Sequence, residues 1–143
     1  MHHASIRTAN IHQAVAFYEV LGFTIKERFT TGYTLACWMT GLGGRIELIQ
    51  IPEPKTSSDP FNDEHYVGYY HLSFDLSSIA ADLPSWLTEL KVKISDRAEI
   101  EKPLKVLLEP NQQIIGDLVY EVAFIADTDN LPLEFIRVLP KLS

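Results

Sequence analysis

Residues 3–6, HASI, and residues 71–74, HLSF, share one order of polar and apolar positions, and the match continues along the chain. A shift of 68 sets His3 on His71, Ser5 on Ser73 and Ile6 on Phe74, then Ile11 on Ile79, Val15 on Leu83 and Tyr18 on Trp86. A shift of 87 sets RIELIQI on PLEFIRV and brings Glu47 onto Glu134. The change of shift places nineteen additional residues inside the second half. An internal repeat constrains architecture more than any local pattern does. It predicts an α+β chain built as two modules of equal element order, packed about a pseudo-twofold.

The periodicities supply that order. HASIRT reads as a strand, and NIHQAVAFYEVLG sets Ile11, Ala14, Val15, Tyr18 and Leu21 on one helical face, with Asn10 as N-cap and Gly22 as terminator. FTIKERF, YTLACWMT and RIELIQI read as three strands. PEPKTSSDPFNDEHYVG, rich in Pro, Ser and Asp, reads as a loop. The order then restarts with the strand YYHLSFDL and a helix carrying Leu83, Trp86, Leu87 and Leu90, with Pro84 in its first turn. LKVLLE, LVYEVAFIAD and LPLEFIRVL complete the second set, the last two joined by the turn residues DTDN. The expected division is one domain, 1–143, with a first module over about 1–52, a linker over about 53–68 and a second module over about 69–143.

Composition excludes several classes of function. Twelve basic against nineteen acidic residues, a net charge of −7, offer no basic cluster for a phosphate backbone, so no nucleic-acid partner is expected. No apolar run approaches the ~20 residues of a membrane span, and the N-terminus has no secretory apolar core. The single cysteine, Cys37, lies in the apolar run YTLACWM and reads as core filler; one unpaired thiol fits a reducing, cytoplasmic compartment.

A His near the first strand and a Glu in the last strand of each half make a specific constellation. A pseudo-twofold would bring His3, Glu47, His71 and Glu134 to a shared axis. Two imidazoles with two carboxylates form a mixed nitrogen–oxygen set suited to Ni, Zn, Fe, Mn or Co and poorly suited to Mg or Ca. Four protein ligands on an octahedral ion leave two positions for water or substrate. His2 competes with His3 as first ligand. His12, on a helix, and His65, in a loop, read as surface residues.

At these residues the chain resembles the vicinal oxygen chelate superfamily of glyoxalase I, bleomycin-resistance proteins and extradiol dioxygenases. HASIRTANIHQAVAFYEVLGF is similar to the family's opening strand, helix and Leu-Gly exit; IELIQ to its first Glu strand; HLSFDL to its second His strand; DTDNLPLEFIR to its terminal turn and Glu strand. The resemblance implies two βαβββ modules forming a curved mixed sheet around a central site that cups one divalent metal ion. A His-His-Glu triad would correspond to His3, His71 and Glu134, and the glyoxalase I pattern adds Glu47. Arg7 is similar to the arginine that holds a substrate carboxylate. Only that resemblance, carried by the spacing of His3 to Arg7 and Asn10, favours His3 over His2 as first ligand. Two features depart from glyoxalase I: Ile51 stands where an Asn contacting glutathione is expected, and EPNQQIIGDL has no match to the second-half loop. Relatives commonly form homodimers, some with the metal between modules of different chains, and the loop 52–70 is long enough to permit that.

The implied activity is that of a metal-dependent lyase or isomerase acting on a small α-hydroxycarbonyl compound or a 2-oxoaldehyde thiol adduct, by proton transfer through a metal-chelated enediolate. Glu134 would be the base, and Glu47 would fix the ion or act on the opposite face. Two other readings stand beside it. One is extradiol dioxygenase chemistry at Fe(II), with Glu47 outside the ligand set; oxygen uptake discriminates it. The other is a small-ligand (drug) binding protein whose cup is lined by Tyr33, Trp38, Phe61, Tyr69 and Tyr70.

Overall fold

The computed structural model describes residues 1–141; Leu142 and Ser143, at the end of the expected second module, lie outside the described residues. Ten elements follow in chain order: β1 (Ala4–Thr8), α1 (Ile11–Leu21), β2 (Thr24–Thr31), β3 (Thr34–Gly41), β4 (Gly44–Gln50), β5 (Leu72–Asp75), α2 (Leu83–Ser95), β6 (Lys105–Ile115), β7 (Leu118–Ala126) and β8 (Pro132–Val138). They form two βαβββ modules, each with its own four-stranded mixed sheet, ordered β1-β4-β3-β2 and β5-β8-β7-β6. The two sheets are not joined by a ladder among the described residues, and each is one of the two βαβββ modules that the resemblance implies. In each sheet the first strand runs parallel to the last, and every other pairing is antiparallel. A helical crossover is what a parallel pairing demands, and α1 and α2 supply it.

Local chemistry sets the helix ends. The Asn10 side chain accepts from Gln13 N–H at 3.1 Å, and Gly22, at φ 109°, turns the chain out while Phe23 N–H reaches the Tyr18 carbonyl at 2.9 Å. Asp82 caps α2 by accepting from Ser85 N–H at 2.7 Å, with Pro84 in the first turn as the sequence predicts. The Ser85 N–H holds the half-buried Asp82 carboxyl below its ordinary pKa.

The helices correct one detail of the repeat. The strands β1 and β5 match at a shift of 68, but the caps Asn10 and Asp82 match at 72. The turn Ser77–Ala80 adds four residues before α2, and Ile79, paired with Ile11 by sequence, lies outside the helix and exposed. Four residues are close to one helical turn, so the apolar pattern matches almost as well one turn out of register. A second difference lies in β6. EPNQQII continues the strand begun by LKVL, with two irregularities of register, and the hairpin turns at Gly116.

One hydrophobic core runs through both modules. Phe17, Tyr18, Leu21 and Phe23 pack with Met39, Ile46 and Leu48, and continue through Phe74, Leu83, Leu87 and Ile94 to Ile125, Leu133 and Phe135. The turn after β7 fastens the modules. Asp127 accepts from the buried Tyr18 hydroxyl at 2.8 Å, and Asp129 accepts from Thr8 Oγ1 at 2.6 Å and from Ala9 N–H at 3.0 Å. Gly41 is required by a close approach, since a Cβ there would lie 2.7 Å from the Phe23 Cα. Cys37 is buried, in keeping with its core role. No helix among the described residues is long and apolar enough to cross a membrane.

Candidate metal centre

Each module builds the same small site from its sheet register. In the first, Ser5 on β1 pairs with Glu47 on β4, and Glu47 pairs with Trp38 on β3. Residues opposite one another in a sheet share a face, so three side chains converge. Ser5 Oγ donates to Glu47 Oε1 at 2.9 Å, and Trp38 Nε1 donates to Glu47 Oε2 at 2.8 Å. His3, two residues before Ser5 and so on the same face, brings Nε2 to 3.5 Å from Glu47 Oε1.

The second module repeats the row as Ser73, Glu134 and Phe124 on β5, β8 and β7. Ser73 Oγ donates to Glu134 Oε1 at 2.6 Å, and His71 Nε2 lies 3.6 Å from the same oxygen. Phe124 meets His71 edge-on at 4.9 Å, while Tyr70 and Phe61 gather on Phe124 at 6.1 and 5.4 Å. Of the aromatics considered as a cup lining, Trp38, Phe61 and Tyr70 are at these sites. Tyr33 and Tyr69 are fully exposed.

The structure therefore joins His3 to Glu47 and His71 to Glu134. It does not join the two pairs: among the described residues no three His, Cys, Asp or Glu side chains gather as a metal-holding group. Two clefts, of about 470 and 420 Å³, lie beside Arg45 and beside Lys102, and neither is lined by any of these four residues.

Electrostatics favour the charged form of Glu47. Burial alone would push its carboxyl up, but the hydrogen bonds from Trp38 and Ser5, with the His3 ring, outweigh it and hold the pKa below the ordinary value. His2 stands behind His3. Arg45 Nη1 lies 2.5 Å from His2 Nε2, and His2 Nδ1 lies 2.7 Å from His3 Nδ1. Arginine only donates, so a neutral His2 accepts at Nε2 and presents its Nδ1 proton to His3. Burial, then Arg45 and His3, lower the His2 pKa from its ordinary value. Of the two rings, His3 is the one that faces the Glu47 carboxylate. Arg7 follows on the same face of β1, exposed, opposite Ile49 and in no ion pair among the described residues. His12 and His65 are exposed.

The donor chemistry fits half a metal site in each module. Two ligands ~2.1 Å from one ion lie about 3 Å apart, and the imidazole–carboxylate separations of 3.5 and 3.6 Å are close to that. The outer contacts differ. A metal-binding imidazole is ordinarily oriented through its second nitrogen; His3 Nδ1 meets His2, whereas His71 Nδ1 is buried without a hydrogen-bond partner. Sequence reasoning gave the two serines as repeat matches without a role, and missed Phe124 and the second role of Trp38. The serine signal was available, because a Ser stands two residues after the His in both halves.

The profile of the Glyoxalase/Bleomycin resistance protein/Dioxygenase superfamily matches residues 1–135. A search of curated proteins by sequence found no match. Among solved structures, a glyoxalase family protein from Bacillus cereus superposes with a TM-score of 0.67 at 17% identity, covering 98% of this chain and 94% of that one. The trypanothione-dependent glyoxalase I of Leishmania major gives a TM-score of 0.62 at 16% identity, covering 96% of this chain and 85% of that one. The fosfomycin resistance protein FosX of Listeria monocytogenes gives 0.59 at 12% identity, covering 100% and 94%. At such identities these structures share the fold. With the duplicated βαβββ modules and the profile match, they establish that the chain belongs to the glyoxalase/bleomycin resistance protein/dioxygenase superfamily.

Proposed function

We propose that this chain is a metal-dependent lyase or isomerase of glyoxalase type, and that it works as a homodimer. His3 and Glu47 of one copy and His71 and Glu134 of another together hold one divalent ion. The observation that carries this reading is the pair of equivalent His–Glu sites, each two donors short of a full set. A C2 dimer supplies each half-site with the other twice over. The substrate class is a small α-hydroxycarbonyl compound or a 2-oxoaldehyde thiol adduct. The bound ion contributes a Lewis acid that stabilises negative charge developing on adjacent substrate oxygens.

The chain's own residues do the rest. Glu47, with both oxygens engaged, stays fixed. Glu134 is held at Oε1 by Ser73, and its Oε2 has no hydrogen-bond partner among the described residues. That freedom suits it to take a proton from one substrate carbon and return it to the next. Phe61, Tyr70 and Phe124 form an apolar wall beside His71, and Arg7 would hold an anionic end of the substrate.

The test is exchange of the substrate's α-hydrogen with deuterated water at matched metal occupancy. Glu134→Gln should slow exchange roughly 10²–10⁴-fold, more than Glu47→Gln does at the same occupancy. Equal exchange in Glu134→Gln and wild type assigns the base wrongly, and oxygen uptake with ring cleavage of a catechol refutes the lyase reading.

A further inference from the structure

The two half-sites share a His, a Ser and a Glu at equivalent positions, and they differ at the third strand. Trp38 and Phe124 occupy the same place in the register, each directly opposite its module's glutamate. Both are aromatic, and both lie beside the module's histidine, with ring centroids at 5.9 Å for Trp38 and 4.9 Å for Phe124. Packing therefore does not distinguish them. Hydrogen bonding does: the indole N–H reaches Glu47 Oε2 at 2.8 Å, and a phenyl ring has nothing to donate to Glu134.

Trp38 is also held from three sides. Phe29 meets it at 5.3 Å and His2 at 5.0 Å, both at steep angles, and the Arg45 guanidinium lies 6.0 Å from its ring. An indole so enclosed has few positions available, and its N–H is aimed in advance. Ser5, whose hydroxyl can rotate, could not fix the second carboxylate oxygen by itself.

We infer that Trp38 is a positioning residue that locks Glu47 as a permanent ligand and, by its replacement with phenylalanine in the second module, leaves Glu134 as the glutamate free to move. This rests on the metal-dependent reading proposed above. It adds that one indole N–H distinguishes the two carboxylates, through a residue that touches neither ion nor substrate.

Trp38→Phe makes the first row a copy of the second while keeping an aromatic ring in place. Outer-shell hydrogen bonds to metal ligands typically contribute 10–100-fold in affinity. Calorimetric titration with Zn(II) should show Trp38→Phe binding weaker by that factor, with its circular dichroism unchanged. An affinity within twofold of wild type in the folded variant overturns the inference. Should Trp38→Phe fail to fold, ¹⁵N spectra of wild type decide. The chain has two tryptophans, and Trp86→Phe assigns the indole signals. The Trp38 N–H signal should move on Glu47→Gln and again when Zn(II) saturates; a signal indifferent to both overturns the inference. Zn(II) binding that needs Glu47 and His71 but not the indole N–H sinks this inference alone. Absence of Zn(II) binding in wild type sinks the metal reading and this inference with it.

Discussion

Asp127 offers a test of the module junction that needs no ligand. Its side chain is 6% exposed, and it accepts from Asp129 N–H at 2.8 Å, Leu131 N–H at 2.9 Å and the Tyr18 hydroxyl at 2.8 Å. The three donors favour the ionised form, but desolvation is the larger effect and raises the pKa to about 6. The sign follows from linkage. A group whose folded pKa exceeds its unfolded value of 3.8 contributes stability that is complete below 3.8 and lost as pH rises through about 6. Integrating between those values gives a loss on the order of 1 kcal/mol from pH 5 to pH 8. Asp127→Asn keeps the shape and cannot ionise. Urea unfolding of both proteins at half-unit steps from pH 5 to 8 isolates the group, because all other titrations cancel in the difference. Wild type should lose on the order of 1 kcal/mol relative to Asp127→Asn over that range. A flat difference shows Asp127 ionised throughout. That outcome means that the three donors outweigh desolvation and hold the folded pKa at or below its ordinary value of 3.8.

Other substitutions test the fold and the site. Gly41→Ala places a Cβ 2.7 Å from the Phe23 backbone and should destabilise by about 1–3 kcal/mol in urea unfolding, because backbone cannot give way as a side chain tip can. Asn10→Ala removes the acceptor for Gln13 N–H and should cost about 1 kcal/mol in the same assay. His71→Ala should abolish stoichiometric metal in protein purified without added metal, measured by elemental analysis. Retention of one ion per chain in that variant places the metal elsewhere.

The sequence carried the modules further than it carried their assembly. Strand alternation and the shared His and Glu were legible because a sheet register is a local property. A residue such as Ser73 faces Glu134 whatever the other module does. Helix register was less legible, because Leu83 and Ile79 are one turn apart and both apolar, so two alignments satisfied one pattern. The extension of β6 through Asn111 and Gln112 was hidden by polar residues with no alternation, which a hairpin tolerates once β7 pairs with them. That the two His–Glu pairs would stand apart within one chain was not legible. Which faces of two modules oppose one another depends on contacts such as Tyr18 with Asp127 and Thr8 with Asp129, more than one hundred positions apart and without a signature in either segment.

If each half-site is completed by a second copy, two defective chains should repair one another when mixed. One chain carries His3→Ala and Glu47→Gln; the other carries His71→Ala and Glu134→Gln. Neither should bind Zn(II) tightly alone. After subunit exchange at equal amounts, half of the dimers are mixed, and one of the two sites in each has its four ligands intact. About a quarter of the wild-type tight Zn(II) sites should therefore return. If the mixture binds no more Zn(II) than its two components do separately, although exchange has occurred, the site is not shared between copies.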